Sequence, residues 1–198
     1  MTRVPDEMTP AVPNQLPRWV VGVAYAACCW AFVFAALSVY WALGGAALSD
    51  SISPAIVQLA RAHVPWVIAA LWISAILKVF SGFVALALVQ PWGKMVPRWI
   101  LLILAWGAGT LFFVHGGLFF VVGVLALSGT IGVSTSETLL HWYTFLWGPW
   151  WLIGGILFLL AAWSYVRRSP HGRVDLVFSA IGVFGALLLL VLSGGTIG

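Results

Sequence analysis

Charge is what this sequence has least of. Asp, Glu, Lys and Arg together make up 7% of its 198 residues, against about a quarter in an ordinary soluble domain. Hydrophobic residues make up 63%, and the mean hydropathy is +1.08. So little polar surface excludes a water-soluble globule, and with it disorder, a coiled coil and nucleic-acid binding. The formal net charge is +4, but the cations sit in short clusters and form no basic face, so the excess reads as membrane topology. Cysteine is nearly absent. Cys28 and Cys29 are adjacent, which supplies no disulfide framework, no CxxC pair and no metal-ligand spacing. Also missing are an HExxH pair, a nucleophile elbow, a phosphate loop, paired intramembrane carboxylates and an inverted repeat. The sequence therefore implies no cofactor and no resident metal.

What the chain does have is long apolar runs. A spanning helix needs about 20 apolar residues. Five stretches qualify: Trp19 to about Leu43, Pro65 to Val89, Trp99 to about Leu127, about Trp147 to Val166, and Val174 to about Leu192. Backbone amides in lipid must be satisfied within the segment, which makes these helices. The expected fold is an all-α polytopic bundle of five transmembrane helices in the cytoplasmic membrane. The third run is too long for one straight perpendicular span, so it tilts, bends near Gly116-Gly117 or projects beyond the bilayer. Met1 to Arg18, with Pro5, Pro10, Pro13 and Pro17, reads as a flexible tail, and 19–198 as a single domain. The tail carries Asp6 and Glu7, and the run behind it is too long for a signal-peptide core, so the first helix is expected to remain as an anchor.

The cations give an orientation. With the N-terminus inside, the inner segments hold Arg3, Arg18, Lys94, Arg98, Arg167, Arg168 and Arg173. The outer segments hold only Arg61, and Lys78 falls within a helix. The C-terminus is then outside. The outer connections, Gly44 to Val64 and Ser128 to Leu146, are the longer ones and the richer in aromatics, so a site is expected there.

Lys78 is the most informative residue, because it sits midway along the second span. Charge at that depth costs roughly 2.5–3.5 kcal/mol. Ser74, Lys78 and Ser81 share a helix face with Ala85, with Gly82 beside them, and that face is expected to point into the bundle. The amine either binds an anion, a carbonyl or a proton, or donates to backbone carbonyls as a structural group. His115, ahead of Gly116-Gly117, either lines a cavity or bridges two helices. Glu137 and His141 are spaced i, i+4 before the fourth span. With His63 and His115 they sketch a metal site, but an interfacial pair is the plainer reading. Asp175, in the first turn of the fifth span beside basic neighbours, reads as structural. Cys28-Cys29 read as small core residues.

Three stretches carry a resemblance: Ser38-Val39-Tyr40-Trp41-Ala42-Leu43-Gly44-Gly45, Leu77-Lys78-Val79 with the run to Pro91-Trp92-Gly93, and Leu146-Trp147-Gly148-Pro149-Trp150-Trp151-Leu152-Ile153-Gly154-Gly155. Together, over roughly Val20 to Arg168, they resemble an uncharacterised family of bacterial membrane proteins, the DUF3995 type, frequent in actinobacteria. At Gly148 the resemblance implies an acidic residue that this chain lacks. The family implies topology and no established activity. Physically, Tyr40, Trp41, Trp147, Trp150 and Trp151 are expected around one outer mouth.

Three functions stay open. The first is a non-enzymatic bundle that binds an apolar, lipid-like ligand or a partner helix through its outer half. The second is an embedded enzyme acting on a lipid or quinone with Lys78, His115 and Glu137 or His141 in acid–base roles. The third is a proton or small-ion pathway through an oligomer. The expected partners are the bilayer, an apolar ligand or another membrane protein, and not nucleic acid.

Overall fold

The computed structural model describes residues 16–192; most of the Pro-bearing tail and the Ser193–Gly198 end lie outside the described residues. Among the described residues there is no strand. The helices are α1 (Arg18–Ala42), α2 (Pro54–Arg61), α3 (Pro65–Ala87), α4 (Arg98–Leu127), α5 (Glu137–Trp142), α6 (Gly148–Arg167) and α7 (Gly172–Leu192). Five helical runs are long and apolar enough to cross a membrane, with α5 and α6 acting as one run over Glu137–Arg167. The protein is a multi-pass helical membrane protein.

Each long helix stops for a local reason. After α1, Leu43 is the last near-helical residue and Gly44 takes φ +89°. The Gly44 N–H donates to the Trp41 carbonyl and the Gly45 N–H to the Tyr40 carbonyl. This is a Schellman cap, which needs a residue free to adopt the left-handed region. It accounts for Gly44 of the YWALGG run, while at Gly45 a Cβ would collide with the Tyr40 ring. The same pattern ends α4, where Gly129 has φ +74° and the N–H groups of Gly129 and Thr130 donate to Ala126 and Leu125. Proline opens the first turn of α2 and of α3, where its missing N–H costs nothing.

Two expected loops are partly helical. Pro54–Arg61 forms α2 within Gly44 to Val64, and Glu137 to Leu146 is helical up to the start of α6. Pro149 does not start a helix from a loop. It sits inside the continuous run, where it has no N–H to give to Phe145 and crowds that carbonyl. The backbone widens into a π-helical turn over Tyr143–Trp147, and the Gly148 N–H reaches the Tyr143 carbonyl five residues back. The long third run also differs from one expectation. α4 is an unbroken 30-residue helix with no interruption at Gly116-Gly117, about 45 Å long at 1.5 Å per residue.

Those glycines instead let helices touch. α4 and α6 pack antiparallel along a line of small residues. A Cβ on Gly109 would lie 2.9 Å from the Leu159 side chain, one on Gly116 2.6 Å from the Leu152 nitrogen, and one on Gly123 would collide with Thr144. From the α6 side, a Cβ on Gly155 would collide with the Phe113 backbone. α3 pairs antiparallel with α1, where Ser38 meets Lys78 and Gln90 Nε2 donates to the Tyr25 hydroxyl. α7 runs alongside α4. Arg98 Nε and Nη2 grip the two Asp175 oxygens at 2.7 Å each, and Gly107 faces Gly182. Asp175 is 1% exposed and Arg98 33%, so the acid at the start of α7 pairs across helices. Of the two cysteines, Cys28 is buried as expected, whereas Cys29 is exposed on the surface of α1.

Replacing Gly155 with Leu should therefore lower the thermal stability of the purified protein by an amount equivalent to about 1–3 kcal/mol. Gly22 has nothing within 4 Å of its Cβ direction, so Gly22→Ala should be neutral or raise stability by about 0.5–1 kcal/mol. Melting curves of both variants in one detergent check the pair.

Candidate functional site

The site forms at the end of the bundle where α1, α4 and α6 meet the segment 44–64. That segment is tied down by hydrogen bonds from the helices beneath it. Trp41 Nε1 donates to the Ala47 carbonyl at 2.9 Å, and the Ala47 N–H donates to the Tyr40 hydroxyl at 3.1 Å. Trp147 Nε1 donates to the Ser51 carbonyl at 2.9 Å, and Ser51 Oγ to the Leu48 carbonyl at 2.6 Å. Ser51 is fully buried. Below this strap lies an open cavity of about 300 Å³. Phe34, Ser38 and Trp41 of α1 line it with Ser74 and Lys78 of α3, and with His115 and Phe119 of α4. Tyr143 and Trp147 of the π-helical turn, and Trp151 of α6, close the far wall, while Ile52 and Ile56 form the roof.

Lys78 is 9% exposed. Its Nζ donates to Ser38 Oγ at 2.6 Å, and Ser38 in turn donates to the Phe34 carbonyl at 3.2 Å. The same nitrogen stands 3.7 Å from the centre of the Phe34 ring and 6.0 Å from that of Trp151. An ammonium over a ring face is attracted by the ring quadrupole. The serine and the rings solvate the amine in place of a carboxylate. Among the described residues no carboxylate lines the cavity, and the ion pair Arg98–Asp175 lies at the opposite end of the bundle. An ammonium has three N–H groups, and one protein oxygen engages it here.

The π-helical turn shapes the opposite wall. By adding a residue to one turn it rotates Trp147 toward α1, where its ring stacks on Phe34 at 5.9 Å and meets Trp41 edge-on at 5.9 Å. Tyr143 stacks on Phe119 at 4.8 Å, and Phe119 lies 4.5 Å from the His115 ring. His115 also meets the Trp151 ring at 4.9 Å. Such turns recur at functional sites.

The family model described as a protein of unknown function (DUF3995) matches residues 31–158. The chain belongs to the DUF3995 family. No curated protein and no solved structure matches it. In this DUF3995 protein every residue lining the cavity, from Phe34 to Trp151, falls inside the matched stretch, whereas α7 falls outside it.

The sequence-level candidates divide in two. Lys78, His115, Ser74, Trp41 and Trp147 come together around the cavity. Ser81 does not, because its hydroxyl turns back to the Lys78 carbonyl at 2.8 Å and the residue faces an apolar furrow shared with α4 and α7. Tyr40 is exposed and braces Ala47. Trp150 lies deeper, stacked on Trp30 at 5.8 Å while its carbonyl accepts the Trp30 N–H. Glu137 and His141 are exposed, and they meet through His141 Nδ1 and the Glu137 carbonyl at 2.8 Å. Glu137 occupies the first turn of α5, capped by Ser136, where a negative charge suits the helix dipole. Among the described residues no group of three His, Cys, Asp or Glu could hold a metal. At Gly148 a Cβ would lie 3.0 Å from the Tyr143 carbonyl and 3.1 Å from Phe120, so a side chain there requires these neighbours to shift by a few tenths of an ångström. Sequence reading missed Phe34, Ser38, Phe119 and Tyr143. Ser38 stood in the quoted SVYWALGG run, but only its packing against α3 makes it the partner of Lys78.

Ser38→Ala leaves the buried ammonium without its oxygen and should lower stability by about 1–3 kcal/mol. Lys78→Met keeps the length and removes the charge, so Ser38→Ala/Lys78→Met should recover parental stability or exceed it. Thermal unfolding of the four proteins as a double-mutant cycle reads this coupling.

Proposed function

We propose that this DUF3995 protein is a non-enzymatic binder of an apolar, lipid-like molecule whose oxygen-bearing head reaches Lys78. We also propose that it sits in the cytoplasmic membrane with the Lys94–Arg98 end inward, as the cation asymmetry supports. One observation carries the reading: the amine at the cavity wall is held by a single serine and by ring faces, with hydrogen-bonding capacity unspent. A carboxylate or carbonyl oxygen is the group that would use it, and a charge-assisted hydrogen bond is the stronger kind. The walls match an apolar tail, since ligand pockets combine aromatic and aliphatic lining with a few placed polar groups. His115 supplies a second polar group beside the head.

The acid–base enzyme alternative has less support. Glu137 and His141 lie outside the cavity, and no hydrogen bond joins Lys78 to His115 among the described residues.

A photoreactive diazirine fatty acid, irradiated with the reconstituted protein, should label cavity residues such as Tyr143, Trp147 and Trp151 on mass mapping. Decanoate should compete and decanol should compete less well. Lys78→Met should weaken labelling about tenfold or more, as expected for loss of a hydrogen bond to a charged group. Labelling spread over the lipid-facing surface, or unchanged in Lys78→Met, would remove the proposal.

A further inference from the structure

The opposite end of the bundle holds a second cavity of different chemistry. It has a volume of about 410 Å³ and is lined by Lys94, Arg98 and Arg168, together with Gln90, Tyr165 and the end of α3 at Leu88. Two of these cations are held in place by the protein. Arg98 spends Nε and Nη2 on Asp175, and its guanidinium lies 4.6 Å from the Tyr165 ring centre. Arg168 spends Nε on the Ser164 carbonyl at 2.7 Å. An arginine has five N–H donors, so each keeps donors beyond these anchors. Lys94 is exposed on the turn Pro91–Met95. That turn is pressed onto the end of α3, because a Cβ on Gly93 would collide with the Ala87 carbonyl.

The charge balance at this end is unequal. Three cations line the cavity, and one carboxylate, Asp175, is already engaged by Arg98 in a bidentate pair. Burial, with the facing Arg98 guanidinium adding to it, holds the Arg168 guanidinium below the ordinary arginine range. α4 also begins here, and its first N–H groups add positive potential. Exposed Trp92, Trp99 and Trp163 ring the same end of the bundle, as aromatic residues do at headgroup level.

We infer that this cavity binds a phosphate ester anion, with Lys94 and Arg168 supplying the uncompensated charge and Arg98 a fixed donor. A planar guanidinium suits phosphate oxygens, and an ammonium adds a point charge. Leu16, Val89 and Pro91 beside the cations offer the apolar surface that the glycerol and upper acyl chain of a lipid would cover. The inference does not depend on the Lys78 site.

The test uses the full chain in phosphatidylcholine nanodiscs doped with phosphatidylglycerol, and native mass spectrometry reads the lipid retained on delipidation. Phosphatidylglycerol should be retained in preference to phosphatidylcholine. Lys94→Gln and Arg168→Gln should each reduce that retention roughly fivefold, and the double variant roughly twenty-five-fold. Lys94 is exposed, and Arg168 lies at the surface with its guanidinium part-buried, so melting curves of both variants accompany the retention measurement. Lys78→Met should leave retention unchanged. Inorganic phosphate is then added as a competitor. Displacement of the lipid assigns the site to soluble phosphate, and lack of displacement assigns it to the headgroup; either result supports the anion site. Equal retention of the two lipids by the parent, or full retention by the double variant, overturns it.

Discussion

An ammonium group inside an apolar layer of helices must be solvated by the protein, because the surrounding lipid offers it nothing. In this molecule the requirement falls on Lys78 of α3, and two other helices answer it. Ser38 of α1 gives an oxygen, Phe34 of the same helix gives a ring face one turn away, and Trp151 of α6 supplies a second ring. The contacts are made only if α1, α3 and α6 hold one register. The rest of the aromatic cluster follows from that register: Trp30, Phe112 and Phe158 fill the space below, and Trp147 and Trp41 close the space above.

Register between bulky aromatics is set by where small residues permit approach. α4 and α6 touch along Gly109, Gly116, Gly123 and Gly155, and the Trp30 ring lies over Gly154. In lipid, where no hydrophobic force drives helices together, van der Waals contact of this kind is the main source of association. The π-helical turn belongs to the same economy of space. Pro149 breaks the regular hydrogen-bond ladder, and the extra residue aims Trp147 at α1 while its indole N–H holds Ser51. A helix defect thus both shapes the cavity wall and fastens the segment above it.

The two ends of the bundle differ in kind. One carries an aromatic cavity with a lone amine and a histidine. The other carries a basic cavity whose arginines are anchored by Asp175 and Ser164. For the first we propose an apolar ligand with an oxygen head, and for the second a phosphate ester. The first cavity lies wholly within the stretch shared with the DUF3995 family, whereas the Asp175 anchor of the second, on α7, lies beyond it.

The sequence by itself determined the class and the span count. Twenty-residue apolar runs admit only helices in lipid, and each of the five runs became one within two or three residues of its expected limits, apart from the extension before α6. It also determined that Lys78 faces the bundle, because the small and polar residues of α3 recur at helical spacing. It did not determine what Lys78 touches. Helical periodicity fixes a face, not the partner helix, and Ser38 and Phe34 are conspicuous only once α1 lies antiparallel to α3. Nor did it decide that Tyr40, Ser81, Glu137 and His141 would stand apart from the cavity. Those outcomes turned on a Schellman cap, a hydroxyl folded back on its own helix, and a helix continuing past a proline. Each depends on backbone hydrogen bonds and on contacts between residues far apart in the chain, which neither spacing nor composition encodes.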